Sequence, residues 1–143
     1  LQDYDLHKLL GSAYRLIKSE LENRRITWRQ DLLPGPFLVK IDVQQFEQVL
    51  VNIFRNAMEA IEEEGQIEII SGRDNIPYLS IRDDGRDIPG ELQTKLFTPF
   101  FSTKQKGQGI GLTLSREILL NHGCDFSLMT LEPGVTEFRI YFN

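Results

Sequence analysis

The sequence predicts an α+β domain, a two-layer α/β sandwich. Its mixed, mostly antiparallel sheet of about five strands is covered on one face by three helices. Two kinds of periodicity lead there. Segments 5–22 and 43–63 repeat apolar residues at helical spacing, and 110–121 reads as a further helix after a glycine-rich start. "QIEIISGR" with "YLSIRD", and "CDFSLMTL" with "VTEFRIYF", alternate apolar and polar residues as neighbouring strands, so the sheet cannot be wholly parallel. Size agrees: with 143 residues, 41% hydrophobic and 26% charged, residues 1–143 can bury a core as a single domain.

The elements follow in order. "LQDYDLHKLL" reads as helical from the start, and Leu6, Leu9, Leu10, Ala13, Leu16, Ile17 and Leu21 form its stripe. The chain lacks an initiator methionine and is expected to be a piece of a longer protein. "RITWRQDLL" alternates through Ile26 and Trp28 as a strand, closed by the turn signal "PGP" at 34–36. "FLVKI" is a short strand, and Asp42 is placed to N-cap the next helix. That helix buries Phe46, Val49, Leu50, Ile53, Ala57, Ala60 and Ile61, with Gly65 as its stop. Two strands joined across "DNIP" come next, then a loop, a short helix near 90–96, the glycine run and the helix over 110–121. A hairpin around "EPG" closes the chain.

The net charge of −5 argues against a nucleic-acid partner, which usually meets a basic surface. No apolar stretch approaches the ~20 residues of a membrane span, so no membrane contact is expected of this segment. Cys124 is the only cysteine, reads as a small buried apolar residue, and points to a reducing compartment.

Chemistry enters at three places. A polar stripe of Gln45, Gln48, Asn52, Asn56, Glu59 and Glu63 runs along the second helix, and Asn52 and Asn56 point the same way, one turn apart. It reads either as a solvated face or as oxygen ligands for a hard cation such as Mg²⁺. In "YLSIRDDGRDIPG", the period of two puts Asp83 on the apolar face with Leu79 and Ile81. A carboxylate there needs a partner, and an adenine amino group would be one, although "DDG" also reads as an ordinary acidic turn. Finally, "FFSTKQKGQGIGLTLS" sets Gly107, Gly109 and Gly111 at alternate positions before a helix. The spacing fits neither the P-loop nor the dinucleotide fingerprint, yet bare amides at a helix N-terminus form an anion site.

In combination, "DVQQFEQVLVNIFRNAMEAI", "IRDDGRDIP", "LFTPFFSTK", "GQGIGLTLSREILLNHG" and "GVTEFRIYF" resemble the catalytic, ATP-binding domain of sensor histidine kinases. The resemblance is to the nitrogen-regulator-like branch, within the ATPase superfamily of gyrase, heat-shock chaperone and MutL proteins, and it implies a Bergerat-type fold. By it, Asn56 ligates Mg²⁺ and Asn52 helps place phosphate or metal, with Glu59 beside them. Asp83 accepts from the adenine amino group, Gly85 leaves the base room, and Asp87 and Ile88 complete that loop. Phe97 and Phe101 order the base of a lid from which Thr103 and Lys104 meet phosphate. Gly107, Gly109, Ile110, Gly111 and Leu112 cradle the phosphate chain. Asn52, Asn56 and Lys104 are thus the catalytic candidates.

The sequence departs from the family at Asp87, where a second glycine is usual, at Thr113, and at Cys124 after "HG". Asp87 puts a side chain and a charge where relatives leave the backbone bare. The implied function is transfer of the γ-phosphoryl group of Mg-ATP to a histidine on a dimerisation domain outside this segment. The implied setting is two-component signalling, with a response-regulator receiver domain as partner. This segment is expected in the cytoplasm, and the full-length protein as a homodimer, either free there or anchored in the inner membrane. The alternatives are an anti-sigma-factor-type serine kinase, a hydrolytic ATPase and a non-catalytic docking scaffold. Asn52 stands where hydrolytic relatives carry a glutamate base, and an amide has no useful basicity. His7 lacks the acidic residue that usually follows a phosphoacceptor, and His122 reads as a capping or packing residue at a helix end.

Overall fold

Asp5 ends the first surprise of the chain, because the helix does not begin before it. In the computed structural model, which describes residues 1–87 and 108–143 (108–111 by backbone alone), Gln2–Asp5 form a strand, β1. The helix α1, Leu6–Asn23, starts where the Asp5 carboxylate accepts from His7 N–H at 3.0 Å. The same oxygen accepts from Phe37 N–H at 3.0 Å, which ties the cap to the loop that precedes β3, Leu38–Ile41. β1 and β3 pair antiparallel as a small sheet of their own. The strand expected at "FLVKI" is therefore present but lies outside the main sheet.

The main sheet has five strands in the order β2-β4-β5-β7-β6. These are β2 (Ile26–Asp31), β4 (Gly65–Asp74), β5 (Ile76–Asp83), β6 (Asp125–Glu132) and β7 (Val135–Tyr141). β2 and β4 run parallel, because α2, Val43–Ala60, crosses between them; the other three pairings are antiparallel. α3, Gln108–Asn121, completes the helical layer. The expected sandwich of a mixed five-stranded sheet and three helices is what the described residues form.

Register explains the core. Ile69, Ile81, Phe138 and Leu128 face one another across four strands, and Leu79 and Ile140 extend the neighbouring row. All six are buried under the helices with Leu9, Leu10, Phe46, Leu50 and Phe54. Trp28 bridges the layers, its ring 4.9 Å from Tyr14 and 5.0 Å, edge-on, from Phe54. On α1, Leu16 belongs to the predicted stripe yet is exposed.

The other sheet face carries charge. Glu137, buried, accepts from Arg82 Nε at 2.9 Å and Arg139 Nη2 at 3.1 Å, and Arg139 lies 4.1 Å above the Tyr78 ring.

Candidate functional site

α2 begins as the sequence predicts, with the Asp42 carboxylate accepting from Gln45 N–H at 3.0 Å. It ends earlier than predicted, at Ala60, with Ile61 as the extended cap residue. Gly65 is not its stop but the first residue of β4. The physical reason lies in the segment after β5. There Arg86 N–H donates to Ala60 O at 2.9 Å, and the backbone of Gly85 presses against the end of the helix. A Cβ on Gly85 would overlap the carbonyl of Ala60. The glycine is needed for contact with a helix end, whatever room it also leaves for a ligand.

That contact brings two of the predicted groups to one place. Asn52, Asn56 and Ala60 are spaced four residues apart, so they follow one face of α2, with about 6 Å of rise between neighbours. Both asparagines are half-buried, and neither side chain hydrogen-bonds a described residue. Glu59 is half-buried beside them. Two residues before Gly85, Asp83 is 8% exposed on the helix-covered side of the sheet. Its Oδ1 accepts from Gly85 N–H at 2.9 Å, which sets the orientation of the carboxylate.

Asp83 does not stand alone in its row. Across the sheet it faces Ile67 on one side and Thr136 on the other, and Thr136 faces Thr130. The row of Ile81 is apolar from Ile69 to Leu128; the row of Asp83 turns polar at its centre. Thr136 is buried, its hydroxyl 3.0 Å from that of Thr130 and 3.5 Å from Arg86 O, to which it donates. Sequence reasoning missed both threonines. A signal existed: Thr136 continues the alternation of Phe138 and Ile140, so it belongs to the inward face.

The third wall is α3. His122, just past its end, accepts from Asp42 N–H through Nε2 at 3.0 Å and donates from Nδ1 to Ile118 O at 2.7 Å. Its ring packs edge-on against Phe46, 5.4 Å away. The end of α3 is thereby fixed to the start of α2, and α3 runs back along its neighbour. At ~1.5 Å per residue, this returns its first turn to the level of Asn56. Gly109, Ile110 and Gly111 lie in that first turn, where unpaired amides and the positive dipole end collect. Leu112 is buried, so its side chain serves the core and only its backbone could meet a ligand.

Asp87 is exposed, and its Oδ1 accepts from Gly134 N–H at 3.1 Å in the β6–β7 turn. Ile88, Phe97, Phe101, Thr103, Lys104 and Gly107, with the short helix expected near 90–96, lie outside the described residues. His7 uses both ring nitrogens within the fold: Nδ1 donates to Gly35 O at 3.0 Å and Nε2 accepts from the Ser71 hydroxyl at 2.9 Å.

Residues 41–143 match the family described as Histidine kinase-, DNA gyrase B-, and HSP90-like ATPase. The chain belongs to that family. Within it, the chain is a histidine-kinase catalytic domain by likeness of sequence and fold. The nucleotide-free catalytic domain of histidine kinase ThkA superposes with a TM-score of 0.87 and 32% identity, covering 99% of this chain and 95% of that one. The sensor protein FixL of Bradyrhizobium diazoefficiens is 35% identical over 138 residues, 94% of this chain and 27% of its own length. The sensor histidine kinase ZraS of Escherichia coli O157:H7 is 30% identical over 145 residues, 99% of this chain and 31% of its own length. This ATPase-family chain thus spans less than a third of the length of these curated relatives. ThkA has also been solved in complex with its response regulator TrrA; that structure shares 30% identity and a TM-score of 0.83, covering 99% of this chain and 42% of that one.

Proposed function

We propose that this chain binds Mg-ATP and presents the γ-phosphoryl group to a histidine on a separate dimerisation domain of the same sensor kinase. The observation that carries the reading is the polar centre of the Asp83 row, brought by Gly85 against the end of the helix that bears Asn52 and Asn56. Asp83, buried and oriented, accepts from the adenine amino group, and the Thr136 hydroxyl beside it completes the polar floor. Asn56, helped by Asn52, offers a neutral amide oxygen to the metal. Among the described residues, no three His, Cys, Asp or Glu side chains gather into a metal-holding group. A Mg²⁺ ion here would therefore share its shell with phosphate oxygens and water, its usual preference. The metal supplies charge neutralisation; the chain's residues supply position.

The amides of Gly109, Gly111 and Leu112 at the start of α3, with Gly107 and Ile110, hold the phosphate chain. By the same reading, Thr103 and Lys104 meet the phosphate chain, and Ile88, Phe97 and Phe101 belong to the nucleotide site. Asn52 in place of a carboxylate leaves no general base for water, which favours transfer over hydrolysis. The receiver domain of a response regulator is the downstream partner, as in the ThkA–TrrA complex. The full-length protein is a homodimer whose catalytic domain works in the cytoplasm; no described helix is long and apolar enough to cross a membrane.

Two measurements test this reading. Isothermal titration detects Mg-ATP, and Asp83→Asn weakens it by about tenfold or more with little change in the urea midpoint. Equal affinity in wild type and variant removes Asp83 from the pocket. In the full-length protein, Asn56→Ala abolishes Mg²⁺-dependent autophosphorylation; undiminished transfer refutes its role.

A further inference from the structure

The segment between Asp83 and Asp87 is clamped on two sides. Arg86 N–H donates to Ala60 O at 2.9 Å, which holds it to α2. On the other side, Asp87 Oδ1 accepts from Gly134 N–H at 3.1 Å, and the Thr136 hydroxyl donates to Arg86 O at 3.5 Å. Gly134 sits at φ +85° in the β6–β7 turn, and its amide is thereby presented to the passing segment. Within the clamped stretch lies Gly85, whose N–H orients the Asp83 carboxylate at 2.9 Å.

We propose that Asp87 is a positioning residue for nucleotide recognition. By holding the turn of the β6–β7 hairpin, its carboxylate fixes the Gly85–Arg86 backbone, and through Gly85 N–H it fixes the direction in which Asp83 faces the base. The side chain that stands in place of glycine is engaged by the hairpin instead of lying loose beside a polyphosphate. A charged acceptor suits the task, because a carboxylate–amide hydrogen bond is stronger than a neutral one. A glycine at this position would leave both the Gly134 amide and the segment without this restraint. The proposal rests on the reading of Asp83 as the acceptor of the adenine amino group.

The test compares wild type with Asp87→Ala and Asp87→Asn, using ATP and inosine triphosphate, which lacks the amino group. Titration calorimetry reads affinity, and amide exchange by NMR reads Gly134. In Asp87→Ala, Gly134 exchange accelerates and ATP affinity falls by about threefold to tenfold, as expected for loss of one hydrogen bond. Inosine triphosphate affinity changes little, so discrimination narrows. Asp87→Asn keeps an acceptor oxygen and restores both readouts. Unchanged Gly134 exchange in Asp87→Ala overturns the tether. Unchanged or improved ATP affinity, or equal losses for the two nucleotides, overturns the positioning role. The reading of Asp83 fails separately, if wild type binds ATP and inosine triphosphate alike.

Discussion

Ser115 shows how a residue can be structural without being satisfied. It is fully buried on α3 between Leu112 and Leu119, and its hydroxyl has no hydrogen-bond partner in the structure described. A buried hydroxyl without a partner forfeits the hydrogen bonds it made to water. Ser115→Ala is therefore expected to stabilise the chain by about 1 kcal/mol, read as a raised urea midpoint at unchanged slope. A lower midpoint would show that the hydroxyl does find a partner. Asn52, Asn56 and Asp83 differ from Ser115 in a way the sequence already displayed. Asn52 and Asn56 break an indifferent pattern one helical turn apart and Asp83 breaks an apolar alternation, whereas one serine in a helix breaks no pattern at all. Asp87 was legible only as an anomaly. Its meaning depends on Gly134, 47 residues away in sequence.

At the scale of elements, the site is built where ends meet. α2 stops at Ala60 because the segment after β5 supplies the next donor, Arg86 N–H, and occupies the space alongside. The helical pattern of "IEEEG" gave no warning, since periodicity reports burial and not which neighbour takes the last carbonyls. Gly85→Ala is expected to destabilise the chain by about 2 kcal/mol or more, because the new Cβ meets backbone that cannot step aside. Denaturant unfolding measures this, and a loss under half that size would show the helix end to be pliable. α3 is set in place at its far end by His122, as expected of a packing residue. β1 escaped prediction because a four-residue strand has too little pattern of its own, and only β3 gives its amides partners.

At the scale of the whole molecule, Cys124 couples the core to pH. Burial, and then the neighbouring Asp125 carboxylate, push its thiol from an ordinary value of 9.0 up to about 12. Above pH 9 the unfolded chain releases a proton that the folded chain keeps. The unfolded state then binds fewer protons, so stability falls as pH rises from about 9 towards about 12. Urea midpoints at pH 8, 9.5 and 10.5 should drop more steeply in wild type than in Cys124→Ala. Parallel curves would place the thiol in contact with water.

The amino-acid sequence by itself determined the sandwich, its three helices, the hairpins, and the chemical identity of Asn52, Asn56 and Asp83. These follow from periods of 3.6 and 2 and from side chains placed against them, which are local properties of the chain. Only the tertiary structure decided that Thr136 and Thr130 share the row of Asp83, that Gly85 touches the end of α2, and that Asp87 is held by the β6–β7 turn. Each of these is a contact between segments far apart in sequence. Such contacts are set by strand register and helix packing, and no local pattern encodes which partner a given backbone group will find.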